Sequence, residues 1–334
     1  MGTRACAVAV DAMGGDHAPD EIVAGALDAA EQLDVDVLIV GRPDAIEPML
    51  AARAPADGVE LVAASEVVGM NDDPAASVRA KKDSSVTRCA EAVRDGRAQA
   101  MVGAGNTGAT MAAALLRLGR VPGVARPGIA VPIPVPGSYP QLLIDGGATV
   151  DCEPEWLVQF ARMGREYARV RLGVDEPTIG LLSNGEEPGK GDDLRKLAYP
   201  RLEALPGFLG NAEGRDLMTH RPDVVVTDGF TGNVALKTLE GGLRSIAALV
   251  FGVLDSTPEA KQAGTVVGPL LLDAAAQLDP DATGGAALLG VRGVCVISHG
   301  SSSARAIVNA IRVAADCVAA DVVARIENAV ADAG

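Results

Sequence analysis

Aromatic side chains are scarce in this 334-residue chain: four Phe, three Tyr and one Trp, 2% of the whole. A core must therefore be built mainly from Ala, Val, Leu and Ile, and 48% hydrophobic content supplies enough of them for a globular fold. Positive charge is also short. At a net −15 the chain lacks the basic surface that nucleic acid demands, and an acidic partner would have to dock on a local basic patch. No apolar run reaches the roughly 18 residues of a membrane span. Asp11 breaks the first apolar run after five residues, which argues against a secretory leader. "MGTRAC" has Cys where a myristoylation signal has Ser or Thr. The five cysteines (Cys6, Cys89, Cys152, Cys295, Cys317) form no C-x-x-C pair, so neither a zinc site nor a disulfide framework is indicated. Buried, reduced thiols in a cytoplasmic protein are the expectation.

What is present is an alternation of short apolar runs and longer helical patterns. "CAVAV", "VDVLIV", "VELVA", "AQAMV", "IAVPI", "QLLI", "TIGLL", "DVVVT" and "GVCVI" read as strands. Most are apolar at successive positions, as in parallel strands covered on both faces. "PDEIVAGALDAAEQL" and "PEWLVQFARMGREYARV" read as helices between them. The fold class expected is α/β, with a mostly parallel sheet and no linker long enough to require a domain boundary within 1–334. Asp11, Gly105–Asn106, Asp145–Gly146–Gly147, Ser183–Asn184–Gly185, Asp228–Gly229 and His299–Gly300 each follow a strand. In a parallel sheet all six turns share the carboxyl edge, where open α/β folds bind ligands. The 39 glycines fit many tight strand-to-helix turns. One stretch departs from the alternation. Residues 243–278 read as an apolar helical hairpin broken at Ser256–Pro258: a core helix pair, a dimer contact or a membrane-surface patch.

"MVGAGNTGATMAAALLRLG", residues 101–119, contains a literal G-x-G-x-x-G at Gly103, Gly105 and Gly108. A dinucleotide fingerprint belongs in the first strand-to-helix turn, with a carboxylate about 20 residues on. Here it follows roughly the fourth strand, and "GRVPGVARPG" at 119–128 holds no carboxylate. A nicotinamide site is therefore rejected. The anion logic survives, because a Gly-rich turn opening a helix presents free N–H groups and the positive end of the macrodipole. Asn106 and Thr107 add side-chain donors there.

"VAVDAMGGDHAPDEIVAGAL", "GAGNTGATMAAAL", "VVVTDGFTGNVALKTLEG" and "GGAALLGVRGVCVISHGSSSARAIVNAI" occur in that order from Val8 to about Ile311. Together they resemble the PlsX family, the acyl-acyl carrier protein:phosphate acyltransferases. The resemblance implies a three-layer α/β/α fold related to isocitrate and isopropylmalate dehydrogenases and to phosphotransacetylase. It implies a homodimer at the membrane surface, with a downstream glycerol-3-phosphate acyltransferase as a candidate partner. The reaction implied moves a fatty acyl chain from acyl carrier protein to inorganic phosphate, giving acyl phosphate for phospholipid synthesis without metal or other cofactor. The chain departs from the family pattern at Asp192, where Asn is usual after Lys–Gly, and at "DGGATVD".

Phosphate attack on a thioester needs no covalent acyl-enzyme; it needs a held phosphate, donors for the developing oxyanion, and exclusion of water. Lys190, in a loop of turn residues, suits the phosphate, although a lysine between acidic neighbours is also an ordinary solvated side chain. Asn233 suits the oxyanion, or a helix N-cap, and the two roles are compatible. Asp11, Gly14, Gly15, Asp16, His17, Gly105, Asn106, Thr107, Asp228, Thr231, Gly232, His299 and Ser301 are the candidate phosphate or substrate contacts. His17 and His299 fit positioning better than proton transfer, since phosphate arrives largely as the dianion. Asp11, Asp16 and Asp228 fit bridging of turn amides better than metal. For the acidic carrier protein, two landing sites are expected: Arg79, Lys81, Lys82 and Arg88, or the helical stripe Arg162, Arg165 and Arg169. The rival functions are a phosphotransacetylase acting on short acyl-CoA and a non-catalytic membrane-edge scaffold.

Overall fold

A computed structural model describes residues 4–53, 57–219 and 221–331. Eleven strands form one sheet: β1 Cys6–Asp11, β2 Val35–Gly41, β3 Val59–Ala63, β4 Ala100–Gly103, β5 Gly128–Ile133, β6 Gln141–Ile144, β7 Ile179–Leu182, β8 Phe208–Ala212, β9 Val224–Val226, β10 Ala286–Leu289 and β11 Val294–Ile297. Their order is β3-β2-β1-β4-β11-β10-β5-β6-β9-β7-β8. Nine strands match the runs read from sequence. β8 ("FLGNA") and β10 ("AALL") do not, because neither run is long or apolar enough to stand out from its flanks.

Twelve helices are described: α1 Asp20–Gln32, α2 Pro43–Ala51, α3 Pro74–Ala80, α4 Ser85–Arg94, α5 Thr107–Arg117, α6 Pro154–Leu172, α7 Asp193–Leu202, α8 Gly229–Leu254, α9 Pro258–Ala276, α10 Pro280–Thr283, α11 Ala304–Ala319 and α12 Val322–Ala331. Successive strand residues point to opposite faces. Val8 and Val10 accordingly join a core with α1, α6, α11 and α12, while Ala9 joins another with α4 and α5. A third cluster seats Ala235, Leu236 and Leu239 of α8 on Leu143, Leu182 and Val225. The result is a three-layer α/β/α sandwich whose core is aliphatic, as the shortage of aromatics requires.

Strand direction corrects one expectation. β1, β2, β3, β4 and β11 are mutually parallel, but β10 is antiparallel to β11 and to β5, and β6 is antiparallel to β5. β9, β7 and β8 then follow β6 in parallel. The six polar turns therefore form two groups instead of one rim, three from each half of the sheet. Buried apolar runs report coverage on both faces but carry no information on direction.

The hairpin is the second departure. α8 begins at Gly229, well before residue 243, and runs unbroken for 26 residues before the turn into α9. No α9 residue is buried, and Ile246, Leu249, Val266 and Leu270 are each more than 60% exposed. The arms project from the sandwich and pack on each other, which removes the core-pair reading.

Candidate functional site

The first group of turns is built by close backbone approach. A Cβ on Gly14 would stand 2.8 Å from Gly105 Cα, so the turns after β1 and β4 meet only as glycines. Asp16 N–H donates to the Gly300 carbonyl at 2.7 Å, tying in the turn after β11. Asp11 is buried and accepts from Met13 N–H; burial pushes its carboxyl above the usual range. His17, His299 and Ser301 are exposed, the two histidines reaching the same end of the sheet as expected. Asp16, His17, Asp20, Glu21 and Ser301 line a cavity of about 500 Å³. Three carboxylates on that wall make it a poor home for phosphate.

The Asn106 side chain is engaged on both its oxygen and its nitrogen. Its carbonyl oxygen accepts from Ala109 N–H at 3.0 Å as the N-cap of α5, and its amide donates to the Met70 and Asp72 carbonyls at 3.0 and 3.3 Å. It pins the 69–73 segment across the helix start. Thr107 is exposed beside it, and Pro74 lies against Gly108.

The second group centres on the first turn of α8. Asp228 caps that helix by accepting from Thr231 N–H at 2.8 Å. Gly232 is required by contact: a Cβ there would fall 2.0 Å from the Asp145 carbonyl oxygen. Asp145 is fully buried and gathers the backbone N–H groups of Ile129, Gly147, Ala148 and Thr149 at 2.6–3.0 Å. Burial still holds its carboxyl above the usual range. Gly147 in this loop approaches Asn233, an exposed residue of the same α8 turn.

Facing α8 is the loop after β7. Gly189 and Gly191 both hold positive φ, 94° and 96°, on either side of Lys190. Asn184 accepts from Gly191 N–H at 2.9 Å, and Asn211 donates to the Glu187 carbonyl at 2.9 Å. The Lys190 stem lies over Gly185, and its ammonium is 4.0 Å from a Glu187 carboxylate oxygen with the side chain 54% exposed. Ser183, Asn184, Gly191, Asp192, Arg195 and Thr231 line a cavity of about 300 Å³ between this loop and α8.

Arg195 escaped the sequence reading. Among the described residues it is the one buried arginine, 6% exposed, and it pairs with Asp192 at 3.0 Å and with Asp228. Burial pushes the Asp228 carboxyl up, but Thr231 and the Arg195 guanidinium outweigh it and hold it below the usual range. The departure at Asp192 is accommodated by the same contacts, since Asp192 caps α7 through Arg195 N–H.

The basic clusters are thinned by internal pairing. Lys81 binds Asp72 and the Val67 carbonyl, and Arg88 binds Asp83 and Glu91. That leaves Arg79 and Lys82 exposed without an ion pair among the described residues. Arg162 donates to the Ala329 carbonyl near the end of α12, and Arg169 binds Glu166 and the Asp175 carbonyl. Arg165 lies half-buried between them, its Nε sealed without a hydrogen-bond partner among the described residues. Of the α6 stripe, Arg162 ties α6 to α12, and Arg169 is held within its own helix and the loop that follows.

A family model described as "Fatty acid synthesis protein" matches residues 6–325. A phosphate acyltransferase of Heliobacterium modesticaldum is 47% identical over 323 residues, covering 96% of this chain and 96% of that protein. Among solved structures, a phosphotransacetylase from Streptococcus pyogenes superposes with a TM-score of 0.64 at 15% identity, covering 94% of each chain. A branched-chain phosphotransacylase from Enterococcus faecalis gives 0.56 at 16% identity, covering 94% of this chain and 99% of that one. At those identities the likeness is one of fold.

Proposed function

We propose that this chain, which belongs to the fatty acid synthesis protein family, the PlsX family whose motifs it carries, is a phosphate acyltransferase that takes its fatty acyl group from acyl carrier protein. A phosphate oxygen attacks the thioester carbonyl, the C–O bond forms as the C–S bond breaks, and the thiolate leaves and takes up a proton. The observation that carries the reading is the 300 Å³ cavity between the Lys190 loop and the first turn of α8. Phosphate is assigned there on charge grounds, since the larger cavity is walled by carboxylates. Thr231 and the α8 N-terminus supply donors from the cavity wall, while Lys190 and Asn233, which flank the cavity without lining it, reach in to neutralise the phosphate and to meet the carbonyl oxygen as it gains charge.

Direct attack suits the cysteines. Burial pushes the Cys152 thiol up to about 12, and Cys295 and Cys317 likewise, so these thiols are not poised to become nucleophilic thiolates. The carrier protein, being acidic, docks through Arg79 and Lys82. The hairpin serves as the dimer contact and as the seat on the membrane surface. Lys190→Ala tests the assignment: phosphate-dependent acyl transfer falls about 100-fold or more while the fold persists. Unchanged turnover by that variant overturns the role given to Lys190. Acetyl-CoA and a long-chain acyl carrier protein, supplied separately with phosphate, decide the donor.

A further inference from the structure

The Lys190 loop leaves β7 and α8 leaves the neighbouring parallel strand β9, and one side chain touches both. Arg195 Nε donates to the Leu182 carbonyl at 3.2 Å, where the loop leaves β7. Its Nη1 donates to Asp192 at 3.0 Å, two residues after Lys190. Its Nη2 donates to Thr227 Oγ1 at 2.8 Å and to Asp228, the cap of the helix that carries Thr231 and Asn233. Four of the five guanidinium N–H bonds are therefore committed, in a planar fork that fixes angles as well as distances. Both Arg195 and Asp228 side chains are 7% exposed, so solvent does not loosen the pair.

We propose that Arg195 is a positioning residue, holding the Lys190 loop and the first turn of α8 at the spacing that acyl transfer requires. The proposal rests on the function assigned above. It predicts that Arg195 matters through Lys190, and displacement of such a group by about 1 Å costs on the order of 100-fold in rate. Arg195→Lys keeps the charge beside Asp228 but loses the fork. It is expected to melt lower than wild type because buried hydrogen bonds are lost, but to remain folded at assay temperature with the KM for the acyl donor unchanged and kcat down about 100-fold. In a Lys190→Ala background the same change is expected to cost nothing further, because the group being positioned is gone. A wild-type kcat in Arg195→Lys overturns the proposal, as do losses that multiply in the double variant. If Arg195→Lys does not fold, Thr227→Val removes one acceptor of the fork instead, and its smaller loss must likewise vanish beside Lys190→Ala; a loss that persists there overturns the clamp. Absence of phosphate-dependent transfer by the wild-type protein is a separate result: it refutes the activity, and the clamp with it.

Discussion

Lys190 stands largely in solvent, and its contact with Glu187 at 4.0 Å contributes little to stability. Replacement by Ala should therefore leave unfolding free energy within about 0.5 kcal/mol of wild type while lowering kcat by about 100-fold or more; denaturant melts and steady-state rates check both. Asp228 is the reverse case. Asp228→Asn leaves Asp192 as the remaining carboxylate partner of the buried Arg195 and should cost about 1–3 kcal/mol. The sign with pH follows from its depressed carboxyl: the contribution is complete above the unfolded value near 3.9 and is lost as pH falls through the lower folded value. The gap between wild type and Asp228→Asn, read from urea melts, should hold at pH 7 and close below about pH 4. At this scale the sequence was informative where a motif fixes a turn, as for Asp228, Lys190 and Asn233. Arg195 was not legible, because an arginine in "DDLRKL" reads as one charge among others on a solvated helix. Only the juxtaposition of β7 and β9 shows what it holds. The tie from Asn106 to the 69–73 backbone was not legible either, since an amide in a glycine turn suits an anion as well as it suits that segment.

The first turn of α8 is the element on which the site depends. Gly232→Ala forces the helix off the Asp145 loop and should cost about 1–3 kcal/mol, with loss of activity that Gly241→Ala, in open space on the same helix, does not share. Further along, α8 and α9 carry large apolar side chains with no cover from the sandwich. Replacing Val250, Phe251 and Leu254 with Gln should reduce sedimentation with liposomes; unchanged binding would place the membrane contact elsewhere. The hairpin itself was legible from its apolar pattern, and its projection was not, because periodicity reports which face is apolar and not what meets it. β10 was missed for a related reason. Four residues, "AALL", cannot announce an antiparallel strand, and nothing in "IAVPI" or "QLLI" announces that β6 runs antiparallel to β5, the reversal that splits six expected turns into two groups.

For the whole molecule, the proposed acidic donor would meet a net charge of −15, so its proposed encounter runs through local cations such as Arg79 and Lys82. Exchanging Arg79 and Lys82 for Glu should raise the KM for acyl carrier protein without altering kcat, and added salt should narrow the difference. Equal KM values would move the landing site. The α/β class with its mostly parallel sheet was readable from nine apolar runs, because burial on both faces is written into composition, whereas the three-layer arrangement came from the family resemblance. The division of the polar turns between two cavities was not, because it depends on the order and direction of strands far apart in the chain. The central claim is that inorganic phosphate is the acyl acceptor, and the most direct measurement is release of carrier thiol from a long-chain acyl carrier protein with and without phosphate. Thiol release that requires phosphate, matched one for one by acyl phosphate, is the predicted result; equal discharge in phosphate-free buffer would contradict it.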